Sequence, residues 1–230
     1  MRRKAAVLVL ILLCDFLLGC GLFFIAFGGG TNRCREQDKS AAAWSEEKLL
    51  ALTFDDGPHR VYTKRLLEGL RTRGVCASFF LVGENIAGNE ALVKEMAEDG
   101  HLIGTHCYNH VELTKKTQEE ACQDILKTNE LIEAITGRTP EYIRPPYGSW
   151  SEELENCVDM TPVFWDIDTL DWKTQNSRQI QRHICRNVGK HQVILLHDVF
   201  GASVDAALAV IDTLKKQGYT FVTIDELLID

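Results

Sequence analysis

From Leu49 to the C-terminus, short runs rich in β-branched and aromatic residues alternate with longer stretches whose apolar positions recur every three to four residues. The first kind predicts strands at 49–54, 77–82, 101–105, 141–144, 162–168, 192–197 and 219–224. The second predicts helices at about 61–73, 89–99, 117–136, 151–158, 177–188 and 203–217. In the fifth of these, Ile180, Ile184 and Val188 share one face; in the sixth, Val204, Ala207, Leu208, Ile211 and Leu214 do. Thr117 with Glu120, and Ser149 with Glu152, have the spacing of a capping box at a helix start. Gly74, Gly100, Gly137, Gly189 and Gly218 each follow a helical stretch, where glycine can close the last turn. Seven strands alternating with six helices predict an α/β domain on a parallel sheet, open or closed into a barrel. No internal repeat and no second domain is visible.

The pattern at the amino end is different. Residues 5–27 are apolar with Asp15 as the one charged interruption, and Arg2, Arg3 and Lys4 precede them. Twenty-three residues in a helix reach about 34 Å, enough to cross a bilayer core. The basic flank favours an inside N-terminus with the rest exported. The expectation is a signal-anchor over 1–27, a polar linker over 28–47 that opens on Gly28-Gly29-Gly30, and a working domain over 48–230. Two alternatives are a cleaved secretory signal and a lipoprotein, since Leu17-Leu18-Gly19-Cys20 has the form of a lipoprotein processing box. Gly21 to Phe27 stay apolar, which counts against lipidation, and Asp15 is costly inside a span. Every version exports residues 28 onward, so the expected location is the cell membrane, single-pass, with the domain outside.

Composition narrows the function. With 230 residues, 45% apolar and 25% charged, the chain suits one ordinary domain with an appendage and not a polytopic membrane protein. The net charge is −8; after position 33 there are 21 basic and 32 acidic residues, a balance of −11. Such a surface has no electrostatic footprint for nucleic acid. The eight cysteines are too sparse for a disulfide scaffold, and no CxxC pair occurs. Six of them follow the apolar head, at 34, 76, 107, 122, 157 and 185, and mostly free thiols are expected.

Five polar clusters stand at the carboxyl ends of different predicted strands. Asp55-Asp56-Gly57-Pro58 places two adjacent carboxylates where a cation or donor must hold them. His106 and His110 have a spacing that lets both imidazoles reach one metal, and with an aspartate they would form a 2-His-1-carboxylate set with open positions. Arg144-Pro145-Pro146-Tyr147-Gly148 is a stiffened loop able to hold a backbone N–H toward an oxyanion. Asp168-Thr169-Leu170-Asp171-Trp172 and Leu195-Leu196-His197-Asp198 complete the series. Each alone also reads as an ordinary turn or a core residue. Together they mark the face on which α/β sheets and barrels assemble active sites.

These residues resemble the polysaccharide deacetylases with a NodB-homology domain, carbohydrate esterase family 4. The motifs are TFDDGP at 53–58, HxxxH at 106–110, RPPYG at 144–148, DxxDW at 168–172 and LLHD at 195–198, and the likeness covers about 48–229. The resemblance implies a distorted (β/α)7–8 barrel and metal-dependent hydrolysis of acetamido groups on sugars. It implies Asp55 as catalytic base, with Asp56, His106 and His110 holding a divalent metal, zinc first and cobalt or manganese as alternatives. Arg144 would tune Asp55, and the Tyr147 backbone N–H would help hold the oxyanion. His197 would be the general acid, oriented by Asp171; Trp172 and Leu195, with Tyr147, would line the substrate pocket. One departure is Cys107, where the family has Ser or Thr. A thiol is the weaker donor, so order in that loop is put in doubt.

Export and this chemistry together favour N-acetylglucosamine in peptidoglycan as the substrate, with chito-oligosaccharides or another exopolysaccharide as alternatives. Trp150, Trp165 and Trp172 are candidates to stack on sugar faces. Two rivals are an idle glycan-binding module and an amidohydrolase of small amides or imides. The expected partners are the glycan and, through the head, a membrane; a monomer without nucleic acid is expected.

Overall fold

The apolar run LLALTF predicts a strand covered on both faces, and β1 (Lys48–Asp55) is buried from its second residue to its last. The computed structural model describes residues 47–228, and β1 is the hub of its sheet. One edge of β1 pairs with β7 (Gln192–His197) over residues 50–55. The other edge is shared by β8 (Tyr219–Val222) at 48–51 and β2 (Ser78–Leu81) at 53–55. Outward from β2 lie β3 (Leu102–Thr105), β4 (Tyr142–Ile143) and β5 (Thr161–Pro162); outward from β7 lies β6 (Ile167–Asp168). Every pairing is parallel. The expected strands and helices therefore hold, with two corrections.

The first concerns 162–168, expected as one strand. It is two, β5 and β6, at opposite ends of the sheet order, and they do not pair with each other. The distorted (β/α) barrel expected is thus a parallel half-barrel with a seam between β5 and β6. The reason is chemical: at the seam the Arg144 guanidinium donates to the carbonyls of Val163 and Phe164, both at 3.2 Å, so a side chain stands where a ladder partner would. The second concerns 151–158, where helix persists only as α4 (Glu152–Glu155), counting α1 (Tyr62–Arg73), α2 (Glu90–Glu98) and α3 (Gln118–Thr136) before it. The expected Ser149–Glu152 cap does not form. Ser151 is the N-cap, and the Ser149 hydroxyl donates instead to Glu112 at 3.4 Å. The Thr117–Glu120 capping box does form at the start of α3.

The remaining helices are α5 (Asp171–Thr174), α6 (Ser177–Asn187), α7 (Gly201–Lys215) and α8 (Ile224–Leu227). Ile180 and Ile184 of α6, and Val204, Ala207, Ile211 and Leu214 of α7, lie in one core with Leu50, Leu52 and Phe54 of β1. A satellite cluster built on Cys107, Leu113, Ala121, Ile125, Ile143 and Leu154 underlies the 106–110 loop. Cys122 of α3 is disulfide-bonded to Cys157, just after α4, across 35 residues. The expectation of mostly free thiols is corrected: Cys76 is disulfide-bonded as well, and folding brings the Cα atoms of Cys122 and Cys157 to 5.9 Å although no sequence spacing marks them. Cys107 and Cys185 are free. Among the described residues no helix is long and apolar enough to cross a membrane. The expected span at 5–27 and the linker up to residue 46 lie outside the described residues.

Candidate active site

Parallel register carries the motifs to one end of the sheet. Asp55 is the cross-strand partner of His197, and Thr53 of Leu195, so these four side chains fall on one face by period-2 alternation. Thr105 pairs with Ile143, which sets His106 beside Arg144. Asp56 follows β1 in the left-handed region (φ 71°), as do Cys107 (66°) and His110 (49°) in the histidine loop and Tyr147 (60°) in the proline loop. Such conformations are disfavoured for residues with a Cβ, and four of them at one end of the sheet are held by the contacts around them.

Asp56, His106 and His110 offer one ligand atom each, all within 4.8 Å of one another. Asp56 Oδ1 lies 3.6 Å from His106 Nε2 and 3.4 Å from His110 Nε2. That oxygen is buried and accepts no hydrogen bond, a cost that a cation between the three groups removes. His106 Nδ1–H donates to the Arg144 carbonyl oxygen at 2.6 Å, which fixes the tautomer and leaves Nε2 as a lone-pair donor. Burial also pushes the His106 pKa down, keeping it neutral, the form in which imidazole binds metal. A hard oxygen and two imidazoles suit zinc or a similar divalent ion. The residues present therefore fit a metal.

Arg144 is fully buried, and its guanidinium satisfies four acceptors. Nη1 donates to Asp55 Oδ1 at 2.9 Å and to the Thr53 hydroxyl at 2.6 Å, while the remaining nitrogens reach the seam carbonyls. Thr53 in turn donates to the Ile194 carbonyl at 2.8 Å. One side chain thus joins β1, β4 and the seam, and it keeps the Asp55 carboxylate oriented.

Across from Asp55, His197 Nδ1–H donates to Asp171 Oδ1 at 2.7 Å, and its backbone N–H donates to Oδ2 at 2.8 Å. Burial works against charge on His197, but the Asp171 carboxylate overrides it and raises the pKa to about 9. Burial also works against ionisation of Asp171, and the His197 ring holds its pKa below the ordinary value nonetheless. His197 is therefore a cation near neutral pH. Beneath it, Asp198 is fully buried, its carboxyl pushed up to about 7 by desolvation and opposed by the Thr63 hydroxyl that donates to it. The Asp198 carboxylate packs directly on Gly57.

The structure thus gathers Asp55, Asp56, His106, His110, Arg144, Tyr147, Asp171, Trp172, Leu195 and His197 at one end of the sheet. Tyr147 and Trp172 are exposed at 69% and 49%, and Leu195 is buried. Of the three tryptophans, only Trp172 offers an open face. Trp150 packs on the satellite cluster and donates to Glu155, and Trp165 packs over Gly148. The sequence analysis assigned no role to Thr53, Thr63, Asp124 or Asp198, although Thr53 and Asp198 stand inside the motifs at 53–58 and 195–198. Thr63 and Asp124 carry no local signal.

Residues 43–162 match the family described as polysaccharide deacetylase. The chain belongs to the polysaccharide deacetylase family. This deacetylase-family chain is 36% identical over 180 residues to the peptidoglycan-N-acetylglucosamine deacetylase PgdA of Listeria monocytogenes, covering 78% of its own length and 39% of that protein. It is 39% identical over 188 residues to a peptidoglycan-N-acetylglucosamine deacetylase of Bacillus cereus, covering 77% of itself and 67% of the relative. It therefore spans about two fifths of the length of the Listeria relative. Among solved structures, the peptidoglycan deacetylase PdaC of Bacillus subtilis matches with a TM-score of 0.77 at 36% identity, over 79% of this chain and 90% of that one. A family member described as a pseudoenzyme, from Bacillus anthracis, matches at 0.74 and 29% identity, over 80% and 66%. The fold is thus shared by active and idle members, and the site decides between them.

Proposed function

We propose that this protein is a metal-dependent hydrolase that removes N-acetyl groups from N-acetylglucosamine units of a cell-wall polysaccharide, peptidoglycan in the first place, releasing acetate. The observation that carries the reading is the facing pair of paired groups beside the ligand triad: Asp55 held by Arg144 on one side, His197 held by Asp171 on the other. The named relatives support the substrate class.

Asp56, His106 and His110 would hold the metal, zinc first and cobalt or manganese as alternatives. When bound, the ion supplies Lewis acidity and lowers the pKa of water toward about 7. Asp55 is positioned as the base that takes a proton from the attacking water, its carboxylate oriented by the hydrogen bond from Arg144. The left-handed turn at Tyr147 sets the backbone N–H that would stabilise the oxyanion. His197 then gives its Nε2 proton to the departing amine, which leaves poorly without one. Asp171 supports the protonated ring throughout. Trp172 and Tyr147 form the open wall for the sugar, and Leu195 the floor for the acetyl methyl.

We further propose a signal-anchor over 1–27 and an extracellular domain over 48–230, on the strength of the basic flank and the apolar run. The full chain, supplied with Zn²⁺, Co²⁺ or Mn²⁺, is expected to release acetate from purified peptidoglycan, and Asp55→Asn to release none. Binding of glycan without acetate release would support the idle-module reading. Turnover of small imides with no release from any N-acetylglucosamine polymer would overturn the deacetylase reading.

A further inference from the structure

Tyr108 sits between the two histidine ligands, and its backbone is held at both ends. Its N–H donates to the Asp124 carboxylate at 2.5 Å, and its carbonyl accepts from the Glu84 N–H at 3.0 Å. The side-chain amide of Asn109 donates to the other Asp124 oxygen at 3.4 Å. Lys127 lies over the Tyr108 ring, 3.2 Å from its centre. The loop needs such restraint. Cys107 and His110 both occupy the left-handed region, and the buried Cys107 thiol is a weak donor.

Asp124 is well placed to supply it. It stands on α3, a helix of 19 residues whose N-terminus is capped and whose Ala121 and Ile125 are buried in the satellite core. Two residues before it, Cys122 ties the same helix to Cys157. A carboxylate accepting backbone N–H groups makes bonds roughly twice as strong as neutral ones. The acceptor is therefore strong, and its base is fixed.

We propose that Asp124 is a positioning residue of the metal site: by gripping Tyr108 and Asn109 it fixes the 106–110 loop so that His106 and His110 converge on Asp56. This rests on the reading of those three residues as metal ligands. Asp124 touches neither the metal nor the substrate; it acts through the loop. Groups hydrogen-bonded to the ligands themselves govern metal affinity by about 10–100-fold, and a group that fixes the loop carrying both histidines is expected to act on the same scale.

The test is Zn²⁺ affinity of the full chain, measured by competition with a chromogenic chelator, alongside the melting curve of each metal-free variant. Asp124→Ala is expected to weaken Zn²⁺ binding by about 10–100-fold. Asp124→Asn, which keeps an acceptor for the Tyr108 N–H, is expected to recover most of that loss. Wild-type affinity in Asp124→Ala overturns the proposal, as does a loss no larger than the unfolded fraction seen in its melting curve. If Asp124→Ala does not fold, Asp124→Glu gives the same reading with its oxygens displaced by one methylene; unchanged affinity there overturns the proposal. Absence of Zn²⁺ binding by the wild-type protein itself overturns the ligand assignment and this inference with it.

Discussion

Arg144 Nη1 lies 2.9 Å from Asp55 Oδ1, and neither side chain exposes more than 4% of its surface. Arg144 has no substitute in this setting, because a lysine cannot reach Asp55, Thr53 and two seam carbonyls from one nitrogen. Arg144→Met leaves Asp55 as an unpaired buried charge, and about 3–5 kcal/mol of stability is expected to go with it. Arg144→Lys keeps the charge but should still lose several acceptors and most activity. Urea unfolding and acetate release check both; a Lys variant of wild-type stability and rate would show that the fork geometry is idle.

The His197–Asp171 pair predicts the alkaline limb of the pH profile. As the proposed general acid, His197 can act only when protonated, so kcat/KM should fall as pH rises through about 9. In Asp171→Asn the ring loses its carboxylate partner, and the limb should move down toward the ordinary histidine value, with a slower rate. The same shift has a sign for stability. Because the folded pKa is raised, the contribution is fully present below about 6.5 and is lost as pH rises to about 9. An alkaline limb unmoved in Asp171→Asn would exclude His197 as its source.

Gly57 is required by packing. A Cβ there would lie 2.5 Å from both Asp198 carboxylate oxygens, and Asp198 is fully buried and held by Thr63. Gly57→Ala is expected to cost about 1–3 kcal/mol, as overpacking does, and to lower activity by shifting Asp55 and Asp56. Removing the clash with Asp198→Ala in the same chain should make the double variant more stable than the sum of the single effects predicts. Strict additivity in that cycle would show that the two residues do not press on each other.

The Cys122–Cys157 bridge closes a long loop between α3 and the end of α4. Replacing both by serine is expected to cost about 2–4 kcal/mol, since the unfolded chain regains the freedom the bridge removed. A reductant should lower the melting temperature of the wild-type protein by more than that of the double variant, in which, among the described residues, only the bridge at Cys76 is left to reduce. Equal melting with and without reductant would mean that the bridge adds nothing to stability.

Much of the fold was legible because its signals are local. The apolar run of β1 and the 3.6-residue stripes of α6 and α7 depend on residues close in sequence, and all appear where expected. Thr117 and Glu120 are likewise neighbours, so their cap could be read directly. Ser149 and Glu152 have the same spacing, yet the cap there is lost because Glu112 takes the Ser149 hydroxyl, from 37 residues away. The 162–168 run looked like one strand because the Arg144 guanidinium that parts it belongs to a distant segment.

The sequence by itself determined the α/β alternation, the placement of five polar clusters at strand ends and the residue types that meet there. Tertiary structure alone decided how these groups are held. Arg144 meets Asp55 across 89 residues, Asp124 meets Tyr108 across 16, and His197 meets Asp171 across 26. Such distances within the chain leave no periodic trace. They close only when parallel register and sheet curvature bring strand ends together, and it is there that charge is paired, a tautomer is chosen and the ligand loop is fixed.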